Sequence, residues 1–473
     1  MNVLVCCRRK KQPAAKTPKP SICESGADHT PDPAVHRPDI GHQITFRTLF
    51  QALSHRIGRN VNKDSSSKQK VSDKESFDFD VKEMFQHKFF CLNAAGVGTF
   101  GVVYKACPFK EPKNIVAIKR VTLDEDSETR EMDLQKVARH RNIVALKQEW
   151  TKVVTQGKVR KYHIYMVMEY MPSNLEVHLH KYAREYKTIS AALIKVFIFQ
   201  LFRALNYLHA IRIIHRDVKP SNCLVNMQTG VLKLCDFGCA KKMKKKGIPN
   251  RTYICSRYYR APELILQNTS NDEKIDVWAA GCVFAECFRG WPLFPGKSAK
   301  HQFGAIASVL GNPSPVELYY LNPKIRHISV KARDAGGTFD ENFRVPLIVA
   351  MADRYFDQLR RNVKTMILPS GAHLPPLFDF SPRELLKVPS ELAKRLVPSG
   401  EDATDLCYLE SSIGKNQSIT FTAIANIDSI TSDSTPSVAS HVDDVFSELE
   451  SEDVDENDMW DCKKVKVIDA DKA

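Results

Sequence analysis

Alternating apolar and polar positions begin near Phe85 and run through a cluster of glycines, and VVYKA (102–106) and IVAIKRV (115–121) have the period of half-buried strands. HIYMVMEYM (163–171) reads as a further strand. From Ala191 to His209 the period lengthens: Leu193, Val196, Phe197, Phe199, Leu201, Phe202, Leu205 and Leu208 make a broad helical stripe. VLKLCDF (231–237) returns briefly to strand, and the apolar stretch VWAAGCVFAECF (277–288) predicts a fully buried helix. Strands first and helices afterwards predict an α+β fold in two lobes, a strand-rich one over residues 81–170 and a mostly helical one over 171–398. Residues 1–80, rich in Lys, Pro, Ser and Asp, are expected to form a disordered basic arm, and residues 399–473 a disordered acidic tail rich in Ser and Thr.

Length fits this division, because 473 residues exceed the roughly 250–300 at which one hydrophobic core stops growing. Charge sharpens it. The net charge is +14, yet residues 399–473 hold 18 Asp/Glu against 5 Lys/Arg, so −13 sits there and +27 on the rest. So basic a body favours phosphorylated or acidic partners and tolerates nucleic acid. The 13 cysteines show no CxxC pair or zinc spacing, which predicts reduced thiols and no structural metal. No apolar run suggests a transmembrane segment, and the opening MNVLVCCRRKK has its charges on the wrong side for a signal peptide, so a cytoplasmic or nuclear location is expected. Cys6 and Cys7 beside four cations read either as a palmitoylation site or as part of a basic tail.

The candidate chemistry lies between Gly96 and Glu263. Gly96-Val97-Gly98-Thr99-Phe100-Gly101, with Val103 two residues on, is a G-x-G-x-x-G loop set between strand-like segments, so it is expected to fold over phosphates as part of a hairpin rather than open a helix. Lys119, in Val116-Ala117-Ile118-Lys119, is placed to neutralise phosphates and needs a carboxylate to orient it; Glu128 and Glu131 both qualify by spacing. His215-Arg216-Asp217-Val218-Lys219-Pro220-Ser221-Asn222 supplies Asp217 to accept or orient a hydroxyl proton, Lys219 to meet a γ-phosphate and Asn222 to bind magnesium. Asp236-Phe237-Gly238 adds a second magnesium carboxylate, and Ala261-Pro262-Glu263 closes the segment with an expected buried salt bridge.

These five elements, in this order, resemble a protein kinase, which implies a bilobed kinase fold, ATP and Mg2+ as cofactors, and protein substrates. Lys219 implies a Ser/Thr acceptor. The stretch Tyr253 to Ile265 (YICSRYYRAPELI), with LKLCDFG (232–238), IDVWAAGCVFAE (275–286) and LPSGAHLPPLFDFSPREL (368–385), resembles the glycogen synthase kinase 3 family of the CMGC group across residues 81–398. That resemblance implies Glu131 as the Lys119 partner and Met168 as gatekeeper. Val103 and Ala117, with the Glu169 and Met171 backbone, would enclose the adenine. It also implies Tyr253 as an activation-loop phosphosite held by Arg257 and Arg260, and Arg130, Arg216 and Lys241 as a pocket reading substrates already phosphorylated. Scaffold proteins at the helical lobe are implied as partners.

The chain departs from the family in places. Lys241, Lys242 and Lys244–Lys246 make the activation loop more basic, Ser221 replaces a Gln, and no Arg-Thr-Thr-Ser-Phe inhibitory segment is evident. Between Pro323 and Arg344 the chain is shorter by about a helix, and Lys300 and Phe303 are expected to change the scaffold surface. Two other readings remain open on sequence grounds: a fold-keeping pseudokinase scaffold, and a nucleic-acid binder resting on basic charge alone.

Overall fold

The computed structural model describes residues 67–98, 101–124, 130–156, 159–243, 254–270, 272–322, 337–385 and 387–398. A first helix, α1 (Ser67–Gln86), leads into strands β1 (Phe89–Gly98), β2 (Gly101–Pro108) and β3 (Val116–Asp124). Helix α2 (Arg130–Val137) and strands β4 (Leu146–Gln156) and β5 (Val159–Glu169) complete the first lobe. The second lobe opens with β6 (Ser173–Asn174), α3 (Leu175–Arg184), α4 (Ala191–Ala210) and β7 (Ile213–Ile214). The short strands β8 (Cys223–Asn226), β9 (Val231–Leu234) and β10 (Lys241–Lys242) follow. Next come helices α5 (Pro262–Ile265), α6 (Lys274–Arg289), α7 (Ala299–Leu310), α8 (Pro315–Leu321), α9 (Leu347–Met351), α10 (Asp357–Arg361) and α11 (Ser390–Leu396).

The first lobe is a five-stranded sheet in the order β1-β2-β3-β5-β4, antiparallel at each pairing. Strand alternation divides β3 between two faces: Val116 and Ile118 are buried in a cluster with Tyr104, Trp150 and Tyr165, whereas Lys119 turns toward the cleft. Helix α1 covers the first of these faces with Val81 and Met84, and the Phe77 ring lies 5.9 Å from that of Tyr104. The boundary expected at residue 81 therefore cuts through a helix, and its stripe includes Asp80, which is fully buried. Asp80 accepts hydrogen bonds from Tyr104 and from Tyr165 (2.6 Å) and pairs with Arg120 at 3.2 Å. One carboxylate thus ties β2, β3 and β5 to α1. The expected disorder of residues 1–66 lies outside the described residues, as do residues 399–473.

In the second lobe α4 is the spine: fourteen of its residues are buried, and Ser190 caps its start. It is apolar and long enough to cross a membrane, but it is the core helix of this lobe. The one strong cation in its buried face, Arg203, is neutralised by a two-pronged pair with Glu384 (2.8 and 2.9 Å) and donates to the carbonyls of Leu377 and Asp379. Burial alone would raise the Glu384 carboxyl's pKa, but the hydrogen bonds from His140 and Arg203 outweigh it and hold it at about 2, against an ordinary 4.5. A folded value below the unfolded one means stabilisation that is complete above about pH 4.5 and lost as pH falls toward 2. Glu384→Gln is accordingly expected to cost about 3 kcal/mol at pH 7, with the gap to the native protein narrowing at pH 3; denaturant unfolding at the two pH values measures it.

The helix expected at 277–288 is α6, ended by Gly290 in the left-handed region (φ 83°). Phe303 on α7 is fully buried and stacked on Phe339, so it belongs to the core and not to a scaffold-facing surface. Glu263 meets Arg344 through two 2.6 Å bonds, as expected, although residues 323–336, most of the stretch expected to be short, lie outside the described residues.

Candidate active site

The glycine segment is the turn of the β1–β2 hairpin, with Val97 opposite Val102 and Gly98 opposite Gly101. Thr99 and Phe100 lie outside the described residues. Gly101 has φ 134°, and a Cβ there would stand 1.9 Å from the Arg120 carbonyl oxygen, so only glycine lets the hairpin approach β3 so closely. Nothing lies within 4 Å of a Cβ placed on Gly96, which opens to the cleft. Val103 sits opposite Lys119, and Ala117 opposite Met168.

Lys119 bridges the lobes. Its ammonium lies 2.6 Å from Glu131 on α2 and 2.9 Å from Asp236, just past β9. Burial would lower its pKa, yet the charges of the two carboxylates outweigh that and raise it. Asp236 moves the opposite way: burial raises it, and the nearby Lys119 charge and hydrogen bond hold it below the ordinary carboxylate value. Lys119 and Asp236 are both ionised at neutral pH. Glu131 is the partner the geometry selects; Glu128 lies outside the described residues.

The loop after β7 is pinned by a residue that sequence reasoning missed. Asp276 on α6 is buried and accepts the backbone N–H groups of His215 and Arg216, each at 2.8 Å, and faces His209 at 2.9 Å. Burial raises its pKa, but His209, His215 and the Arg216 N–H overcome this and keep it below its usual value. Asp276 holds Arg216 in the left-handed region (φ 69°), a conformation costing about 1–3 kcal/mol. His215 Nε2 faces the Cys235 carbonyl at 3.0 Å and so carries the proton, leaving Nδ1 to accept from the Asp217 N–H.

Asp217 and Lys219 are 2.8 Å apart, and the Asn222 amide donates to the Asp217 carbonyl (2.8 Å) and carboxylate (3.1 Å). Ser256, also unforeseen, donates its hydroxyl (2.8 Å) and N–H (3.1 Å) to the other Asp217 oxygen, while Lys219 donates to Ser256 Oγ at 3.0 Å. Its position inside the activation stretch was visible in the sequence; its contact with a residue 39 positions away was not.

At the link between the lobes the Glu169 carboxylate accepts from the Ala145 N–H and Lys233, each at 2.8 Å, and its own N–H donates to the Ala145 carbonyl at 3.1 Å. Arg216 is buried with an Nε that has no partner among the described residues. Burial lowers its pKa, and the charge of Arg130 lowers it further, so two of the three expected pocket cations are neighbours. Lys241 is paired with Ile214, two residues ahead of Arg216. Tyr253 lies outside the described residues. Arg260 donates to the carbonyls of Ile254 and Cys255 (3.1 Å each), and Arg257 to that of Lys297.

A cleft that presents a bridging lysine, a glycine hairpin and a carboxylate fixed beside a second lysine suits holding a polyanion while a hydroxyl is oriented, the requirement of phosphoryl transfer. The sequence matches the family described as protein kinase domain over residues 91–334, just over half of the chain, and the protein belongs to that family. It is thereby a transferase that phosphorylates proteins, and kinases of this family use ATP and Mg2+.

Proposed function

We propose that this kinase transfers the γ-phosphate of ATP to Ser or Thr of proteins, that it resembles the glycogen synthase kinase 3 family in detail, and that it prefers substrates already phosphorylated nearby. The bridge from Lys119 to both Glu131 and Asp236 carries the catalytic reading, because it joins the phosphate-facing groups of the two lobes in one working arrangement. Lys119 would hold the α- and β-phosphates beneath the Gly96–Gly101 hairpin, with Val103, Ala117 and the Glu169–Met171 backbone around the adenine. Asp236 and Asn222 fit magnesium: they offer oxygen donors to a cation that keeps phosphate oxygens and water as its other ligands, and the Asn222 amide nitrogen, committed to Asp217, turns its oxygen elsewhere. The ion, when bound, neutralises phosphate charge. Asp217 orients the attacking hydroxyl and Lys219 meets the transferred phosphate; Ser256 and Lys219 hold the Asp217 carboxylate for that task.

The preference for a phosphorylated substrate rests on Arg216, whose buried Nε, without a partner among the described residues, and proximity to Arg130 favour an incoming anion. On paired peptides that differ only in a phosphoserine four residues after the acceptor, Arg130→Ala is expected to reduce the ratio of kcat/KM values by roughly ten- to a hundredfold, the worth of a charged hydrogen bond. An unchanged ratio with intact activity on the plain peptide would refute the preference. Transfer to Tyr but not to Ser or Thr would refute the acceptor assignment.

A further inference from the structure

Behind the cleft, on the far side of the loop that follows α2, lies a groove of about 520 Å³ with an uneven charge. It is lined by Arg139 and Arg141, by Pro382 and Arg383, and by the buried Arg203 and Glu384. Arg203 and Glu384 satisfy each other, and Arg141 pairs with Asp379. Arg139 and Arg383 are both exposed, and no carboxylate among the described residues pairs with either. Four guanidinium groups thus face two carboxylates, an excess that suits an acidic peptide.

We infer that this groove is the docking site for the protein's own acidic segment, residues 443–458. That segment (DDVFSELESEDVDEND) carries nine Asp/Glu and no Lys or Arg, the opposite of the groove, with Val445, Phe446 and Leu449 to lie along the exposed Pro382. Reach is ample: 44 positions separate Pro398 from Asp443, about 140 Å at full extension. A tethered segment also competes at an effective concentration near millimolar, so it outbids acidic partners free in solution at lower concentration. The inference is independent of the proposed function and is tested without nucleotide.

Arg383→Lys in the full chain keeps the charge and supplies an amine that a carbodiimide couples to any carboxylate in contact. The expected product, located by mass spectrometry, joins Lys at 383 to an acid within 443–458 in a protein of monomer mass. It is lost when all nine Asp and Glu of 443–458 are changed to Asn and Gln, and amide exchange over residues 379–385 then becomes faster. Cross-links found only in dimers would assign the groove to a second copy and overturn the inference. So would coupling confined to other lysines with exchange over 379–385 unaffected by the Asn and Gln changes, or coupling of position 383 to an added acidic protein in place of the tail.

Discussion

Asp217→Asn is expected to lower kcat by about a hundred- to ten-thousandfold, the range for losing a positioned acid or base, with little change in KM for ATP. The carboxylate is held from three directions, by Ser256, Lys219 and the Asn222 amide, and sits at the floor of the cleft. An amide can still accept from Ser256 but cannot neutralise Lys219 or accept a hydroxyl proton, so the fold persists while the chemistry fails. Steady-state rates on a Ser peptide, with thermal melting as a check on folding, make the measurement. A variant that melts normally and keeps more than about a tenth of the native rate would leave Asp217 outside the reaction and would favour a scaffold reading.

The largest loss of stability is expected at Asp80, well away from the cleft. Asp80→Ala strips a buried charge partner from Arg120 and leaves the Tyr104 and Tyr165 hydroxyls without this acceptor inside the lobe. Breaking a buried pair by removing one member costs about 3–5 kcal/mol, which corresponds to a fall in melting temperature of roughly 5–15 °C. Asp80→Asn, which keeps an acceptor without charge, is expected to lie between the two. Differential scanning calorimetry of the full chain decides it, and a melting point within about 2 °C of the native protein would show that α1 contributes little. Because Arg120 follows Lys119 on β3, the same variant is also expected to raise KM for ATP more than it lowers kcat.

Much of the fold was legible because its elements follow simple periods. The stripe from Leu193 to Leu208 became α4, the alternation around Ile118 became β3, and the apolar run 277–288 became α6, which is not buried all round as expected: Ala279, Ala280, Cys282, Val283 and Cys287 face the core while Phe288 is exposed. Helix α1 was not legible: its buried stripe has Asp80 at a position where the pattern expects an apolar side chain, and the surrounding residues are polar enough to read as linker. In the site, residues bound to a local motif could be singled out from sequence, and Lys119 meets Asp236 as Asp217 meets Asn222. Spacing could not choose between Glu128 and Glu131, since both fall on one face of the helix the sequence predicts, and it is the approach of α2 to β3 that brings Glu131 to Lys119. Ser256 and Asp276 act through contacts 39 and 60 or more residues distant, and nothing local to either announces the role. Phe303 was misread because one face of a helix looks alike in sequence whether it meets solvent or, as here, the Phe339 ring.

The described residues on either side of 323–336 are fastened independently of what joins them. Asn322 donates to the Leu266 carbonyl at 2.6 Å, and Gly337 donates to that of Leu310 at 3.0 Å, where a Cβ would stand 2.8 Å from the Leu310 Cα and no larger residue fits. Glu317 then clasps Thr338 and the Phe339 N–H. Closing a connection between two such fixed points costs only about 0.6 kcal/mol more for each doubling of its length. A change of length between these points is therefore expected to cost the lobe little, with the Glu263–Arg344 pair keeping its place.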